Sequence, residues 1–416
     1  MDMMKRQTGL QTNDKGSNMA RKKTPYLKVV KAPGDIKAVR TTVRKVRRRK
    51  FKTIASYVIL IALALCGTWL MLQNETYGTA RKASSYTKDI SDTNSYIQFA
   101  DGIVRYNRDG VVFLNKKNEE QWIQSTQLQN PIIEVKDDAF AVADSGGNNI
   151  LVFTRDGLKG EIQTTLPIER IAISNQGIVT AILRNENSPK IISYDATGNI
   201  LVEQQATFGN TGYPISLEMS DDGTMLAVTY LCTKDGMIQS RVGYYNFGAT
   251  GKEKADNRVT ADQYENMVMA DVFFMGNDRS VVVGDTAIEI YSGADTPKRL
   301  KEIKVSQEIK SVFHTEKYFG LVMLNQDKSA YELRVYNRSG DAVFSKEFMG
   351  EYSNVKMNDK EIIMFEGNRC CIFTMTGILK FQGNLNIDAM EMFQASGINR
   401  YYVMSANELR VVYLTK

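Results

Sequence analysis

An aromatic residue set in a β-type apolar run recurs eight times along the chain, and few folds can absorb such a repeat. The aromatics are Phe113, Phe153, Tyr194, Tyr245, Tyr291, Tyr336, Phe373 and Tyr413, spaced 40, 41, 51, 46, 45, 37 and 40 residues apart. Several runs lead into a turn that calls for glycine at positive φ, as at Gly157, Gly198, Gly340 and Gly377. A further strand follows, such as 161–165, 201–206, 342–348 or 379–383. Two more apolar strands precede the run, as with 132–135 and 140–143, or 168–174 and 178–183. A single unit of four short strands cannot cover its own apolar faces, so neighbours must stack until a ring closes. The predicted fold class is therefore all-β, a β-propeller.

Units begin near Ser95, Pro131, Pro167, Tyr213, Met267, Glu308, Glu351 and Ile387, which favours eight blades over the alternative of seven. The last unit runs 389–393, 400–404 and 409–414, and the chain stops there after three strands. Either that blade stays three-stranded, or a strand from 96–100 or from the preceding stalk completes it.

Ahead of the repeat lies an uncharged stretch, residues 54–72, which includes Ile54, Tyr57, Leu60, Leu63, Trp69 and Leu72. As a helix its length matches the hydrocarbon thickness of a bilayer. Residues 1–52 carry 17 Lys or Arg and three Asp, leaving 36 basic against 44 acidic residues in the remainder. The basic balance thus belongs to the tail alone. Arg44, Lys45, Arg47, Arg48, Arg49, Lys50 and Lys52 crowd the N-terminal doorstep of the apolar stretch, and no basic residue follows it before Arg81. This asymmetry predicts a single span with its N-terminus in the cytoplasm and the propeller outside the cell membrane. The charged region is too long, and the apolar run too extended, for an ordinary cleaved signal, so an uncleaved anchor is expected. The expected organisation is a mostly disordered basic tail over 1–52, a membrane helix over 53–72, a polar stalk over 73–94 and the propeller over 95–416. Residues 37–52 could extend the membrane helix. Their expected partner is anionic lipid head groups; without aromatic interleaving or a recognisable module, nucleic acid is not an expected one.

The pattern also carries a resemblance. Gly102-Ile-Val-Arg-Tyr-Asn-Arg-Asp-Gly110, Ala141-Val-Ala-Asp-Ser-Gly-Gly147 and Val152-Phe-Thr-Arg-Asp-Gly157 are similar to membrane-anchored propeller proteins of Gram-positive anaerobic bacteria, a domain-of-unknown-function family. Tyr244-Tyr-Asn-Phe247 and Glu308-Ile-Lys-Ser-Val-Phe313 add to the likeness. The Ser220-Asp-Asp-Gly223 turn resembles WD40-like blades, and the strand-turn-glycine units resemble quinoprotein-like ones. The resemblance implies location and fold and adds no activity.

Chemistry is sparse. The one histidine, His314, falls in an expected inner strand of the sixth blade, which leaves little for a nucleophilic triad or a histidine-based metal site. Cys370 and Cys371 read as strand neighbours pointing to opposite faces, with a vicinal disulfide as the alternative. Quinone-dependent propellers carry repeated Trp docking motifs, whereas this chain has only Trp69 and Trp122. Asp144, Asp221, Asp222 and Asp235 are expected to serve turns. No catalytic residue, cofactor or metal site is predicted, and the chain is expected not to be an enzyme. The longest connections, 185–190, 231–240 and 249–264, cluster on blades three and four. They nominate Lys234, Asp235, Met237, Lys252 and Tyr264 as a partner-binding face for a protein or cell-envelope ligand. The alternative is a hydrolase-like propeller enzyme using carboxylates near the central channel.

Overall fold

The computed structural model describes residues 35–87, 94–185, 188–206, 211–325 and 330–416. It divides at Trp69 and Leu70 into two compact units. The expectation of disorder over 1–34 lies outside the described residues.

One long helix, Asp35–Gln73, joins the basic segment to the apolar one without a break. It begins just after Pro33-Gly34 and is rich in strong helix formers. Residues 35–52 are therefore helical rather than disordered. Within it, Val43–Leu72 is long and apolar enough to cross a membrane, and none of its apolar window is buried. Its hydroxyls turn inward: Thr53 donates to Arg49 O at 2.9 Å, Ser56 to Thr53 O at 2.8 Å and Thr68 to Leu65 O at 2.9 Å.

The second unit is an eight-bladed propeller. Blade I comprises Ser95–Phe99, Gly102–Asn107, Gly110–Leu114 and Glu120–Ser125. The innermost strands of blades II to VIII are Pro131–Val135, Ile168–Ile173, Tyr213–Met219, Met269–Phe274, Glu308–His314, Asn354–Met357 and Glu391–Gln394. Blade VII contains the element Glu361–Thr374, which folds back on itself at Gly367 (φ +53°). Met375 N–H donates to Lys360 O at 2.9 Å, so its two halves run side by side as the two middle strands.

Eight apolar clusters fill the spaces between neighbouring blades. Phe99, Phe113, Phe140 and Phe153 seal blade I to blade II, and Tyr96, Leu114, Phe393 and Leu409 seal blade VIII to blade I. Alternation along a strand puts successive side chains into different seams. Cys370 packs with blade VIII and Cys371 with blade VI, and both thiols are free.

The repeating aromatics acquire a structural meaning here. In all eight blades the third and fourth strands are out of step by one residue. The shift falls at Phe153, Tyr194, Tyr245, Tyr291, Tyr336 and Phe373 in blades II to VII, beside Phe113 in blade I and between Lys82 and Ser84 in blade VIII. Such a bulge raises local twist, which a radial blade requires.

Ring closure corrects the expected stalk. Thr79–Thr87 is a strand that pairs antiparallel with Glu408–Thr415 and supplies the fourth, outermost strand of blade VIII. Of its nine side chains only Ala80 is buried, because an outer strand contributes little to the seams. Beside it a buried ion pair within blade VII is tied to blade VIII by a tyrosine hydroxyl. Lys380 Nζ lies 2.6 Å from Glu361 Oε2, which also accepts from Tyr401 OH at 2.9 Å. Tyr77 N–H reaches Lys380 O at 2.8 Å.

Two outcomes test this closure. The hydroxyls of Thr79 and Thr415 are 2.6 Å apart, so a T79C/T415C disulfide should raise the melting temperature. The chain-entropy limit for so long a loop is roughly 5 kcal/mol. Equal melting of oxidised and reduced forms would show that the ring does not open there. The K380M variant leaves Glu361 buried without its cation and should lose about 3–5 kcal/mol in chemical denaturation.

Candidate functional site

The inner strands of blades II to VI bound a cavity of about 480 Å³ in the central channel. In blades III to VI each of these strands carries a bulge against its neighbour, at Ile168/Arg170, Pro214/Ser216, Met269/Asp271 and Ile309/Ser311. The first strand pairs of blades I, II, VII and VIII run in unbroken register. A bulge re-aims the side chains that follow it. Here the following positions are Arg170, Ser216 with Glu218, and Asp271, all of which line the cavity.

The lining is strongly polar over an apolar floor. Lys136 Nζ sits 2.5 Å from Glu218 Oε1 and 3.4 Å from Asp221 Oδ1, two half-buried carboxylates. Burial works against its charge, yet Glu218 and Asp221 together raise the Lys136 pKa. Asp271 accepts from Ser216 Oγ at 2.7 Å and from its neighbour Val272 N–H at 2.9 Å. Glu134 is different. Among the described residues no group hydrogen-bonds or ion-pairs with its carboxyl, and the residue is exposed to the channel. The enclosing walls desolvate its carboxyl, and Glu218 and Asp271 add like charge, which pushes its pKa up to about 8.

His314 stands in the inner strand of blade VI, as expected, and its ring stacks on Phe273 at 4.2 Å and 8°. Its ring meets channel water, but the surrounding walls and the Lys136 charge lower its pKa to about 4, so it is neutral at physiological pH. No group of three or more His, Cys, Asp or Glu suited to a metal ion occurs among the described residues.

The nominated partner face is dispersed by the structure. Residues 231–240 are not a loop: Met225–Lys234 and Met237–Asn246 pair without interruption to Lys234 and Met237. Asp235 (φ +53°) and Gly236 (φ +78°) make the whole turn. Lys234 and Asp235 are exposed, as are Met237 (51%) and Ile238 (48%), at the tip of a hairpin longer than any other between two middle strands. Lys252, exposed in the short helix Ala249–Lys252, joins the third strand of blade IV to the fourth. Consecutive hairpins turn at opposite ends of a sheet, so Lys252 lies at the other end of the blade from Met237. Tyr264 is in the strand Arg258–Glu265 and is buried, its hydroxyl 2.6 Å from Tyr291 OH and its ring beneath Arg299. Burial pushes its pKa up to about 12, and it is a packing residue rather than a contact for partners. Residues 186 and 187 of the connection 185–190 lie outside the described residues. The turn roles expected of Asp144 and Asp222 hold: Asp144 accepts from the Gln129 and Asn130 amides, and Asp222 from Thr224 N–H.

Sequence reasoning missed Glu134, Lys136, Arg170, Glu218 and Asp271. The available signal was a charge in the first strand of each of four successive units, positions that a propeller turns toward its axis.

A family profile described as "Family of unknown function (DUF5711)" matches residues 73–414. Among solved structures, BamB from Moraxella catarrhalis is similar at a TM-score of 0.51 and 13% identity, over 81% of this chain and 100% of that one. Sqt1 from Saccharomyces cerevisiae is similar at 0.51 and 10%, over 82% of this chain and 100% of that one. At such identities the likeness is one of fold. No curated protein matches the chain by sequence at a significant level.

A raised carboxyl pKa favours the protonated form in the fold. The Glu134 contribution to stability is therefore present at acid pH and lost as pH rises from the ordinary carboxylate range through about 8. E134Q should flatten the fall in melting temperature between about pH 5 and pH 9, measured against wild type. An identical slope in both proteins would contradict the desolvation of this carboxyl.

Proposed function

We propose, for a chain that belongs to the DUF5711 family of unknown function, that it is a single-pass membrane protein whose propeller outside the cell binds a protein or cell-envelope ligand. The supporting observation is the helix Asp35–Gln73. Ile54, Tyr57, Leu60, Leu63, Trp69 and Leu72 on it are all 47–67% exposed, on every side of the helix. In water such a surface would aggregate; in lipid it is at home, with its backbone and hydroxyl groups already satisfied internally. Arg44, Lys45, Arg47, Arg48, Arg49, Lys50 and Lys52 are exposed at its other end. Anionic head groups would hold them at the cytoplasmic surface.

A rigid ring presenting one long hairpin suits a scaffold better than a catalyst. Met237 and Ile238 are apolar and half exposed at its tip, and Lys234 and Asp235 frame them with charge. The channel carboxylates favour a second reading, a hydrolase-like enzyme in which Glu134, its pKa pushed up, and Asp271, held by the Ser216 hydroxyl, act on one substrate. Hydrolysis of an envelope polymer that disappears in E134Q would select it.

In membrane fractionation the full chain should pellet and resist salt extraction, and protease added outside intact cells should reach the propeller. Crosslinking in native membranes should capture a partner that the M237E/I238E variant loses by tenfold or more while its melting temperature is unchanged. A soluble full-length chain, or a capture pattern indifferent to the tip, would overturn the reading.

A further inference from the structure

The channel cavity has the make-up of a binding site for an organic cation. Its volume falls in the range of small-molecule pockets. Its backbone is specialised: four consecutive inner strands bulge on that arc, and the other four do not. Ring closure does not require this, because blades I, II, VII and VIII form the same ring without it.

The charges in the cavity do not balance. Of its lining, Glu134, Glu169, Glu218 and Asp271 are carboxylic and Arg170 alone is cationic, with His314 neutral. Lys136 is already committed to Glu218 and Asp221. Glu169 accepts from the Tyr213 hydroxyl, and Asp271 from Ser216. Glu134 is left as a carboxyl facing the cavity with no partner among the described residues. Ile132 and Val312 line the cavity half-buried, Ile171 and Leu217 are buried in the seams between blades behind it, and the Phe273 face is covered on one side by His314. An inorganic ion would need three ligands gathered closely, and none are so gathered among the described residues. A hydrocarbon stem ending in an ammonium fits this mixed lining: methylenes against Ile132 and Val312, and N–H donors toward Glu134 and Asp271.

We propose that the cavity binds a primary ammonium group carried on an aliphatic stem, between Glu134 and Asp271. The ammonium donates to both carboxylates, and the proton held by Glu134 leaves to solvent as the cation arrives. The groups facing Glu134 are Lys136 on its own strand, Arg170 of blade III, Glu218 of blade IV and Asp271 of blade V, with Tyr106 of blade I nearby. This inference goes beyond the envelope-binding reading and does not depend on it; the hairpin tip is not involved.

The test is isothermal titration calorimetry of the full chain in detergent. One arm uses cadaverine, the free diamine, and the other Nα-acetyl-lysine methylamide, a lysine side chain as a peptide presents it. Saturable binding of either at millimolar concentration is expected. Affinity should rise roughly tenfold or more from pH 6 to pH 8, as the competent ionised form of Glu134 becomes populated. Close to one proton should be released per ligand at pH 6.5, read from buffers of different ionisation enthalpy. D271N should weaken binding at least tenfold, and E134Q should abolish the proton release. Tighter binding of cadaverine would identify a free amine as the ligand, and tighter binding of the lysine derivative a peptide side chain. Absence of saturable heat at pH 8, or an affinity unchanged between pH 6 and pH 8, would overturn the proposal. Both readouts come from wild-type protein, so they decide even if a variant fails to fold.

Discussion

Closure of this ring depends on a contact between the two ends of the propeller segment. Thr79–Thr87 lies against Glu408–Thr415 through eight paired positions, from Thr79 opposite Thr415 to Thr87 opposite Glu408. Without it, blade VIII would end on an unpaired strand, Glu408–Thr415, whose Val412 and Leu414 belong to the buried core. A ring of stacked blades has no terminal caps, so the seam must be sealed by strand pairing as well as by packing. Here both occur: the apolar cluster of Tyr96, Leu114, Phe393 and Leu409 closes the interior, and the polar strand zips the rim. Asn118 of blade I donates to Tyr86 O at 3.3 Å, tying the closing strand to the first blade as well as the last.

Two kinds of bulge then divide the labour. The outer one, present in all eight blades, belongs to the architecture, since it adds the twist that each radial sheet needs. The inner one is confined to blades III to VI and belongs to the cavity. That contrast separates what the ring requires from what it has been shaped to hold. It also explains the uneven charge of the channel. The Lys136–Glu218–Asp221 group satisfies itself, whereas Glu134, open to the channel, has its pKa pushed up by the surrounding walls and by the like charge of Glu218 and Asp271.

How much of this was legible in the sequence follows from which surfaces the residues cover. The eight repeats were readable because Phe153, Tyr194 and their counterparts in blades I to VII are buried between blades, while in blade VIII Tyr413 is half-buried between the buried Val412 and Leu414. Their first strands begin within four residues of the expected starts. The closing strand was legible only as one of three alternatives for the eighth blade, a strand from the stalk, and not by its position. Thr-Ala-Arg-Lys-Ala-Ser-Ser-Tyr-Thr covers only Ala80, and an outer strand shows no apolar alternation to read. The hairpin of blade IV did carry its signal, since Asp235-Gly236 is the pair that a two-residue turn with two positive φ angles prefers. The polar residues around it concealed the pairing. The cavity was the least legible part: Glu134, Glu218 and Asp271 are spread over more than a hundred residues, and only the ring brings them together.

The central claim is that a segment composed like a linker is the closing strand of the ring. Native-state hydrogen exchange measures this directly. Backbone amides of Thr79–Thr87 that point at Glu408–Thr415 should exchange slowly, with protection matching that of the amides facing them and lost together with them under mild denaturant. Rapid exchange throughout Thr79–Thr87, with protection retained in Arg400–Met404, would contradict the account and leave an eighth blade of three strands.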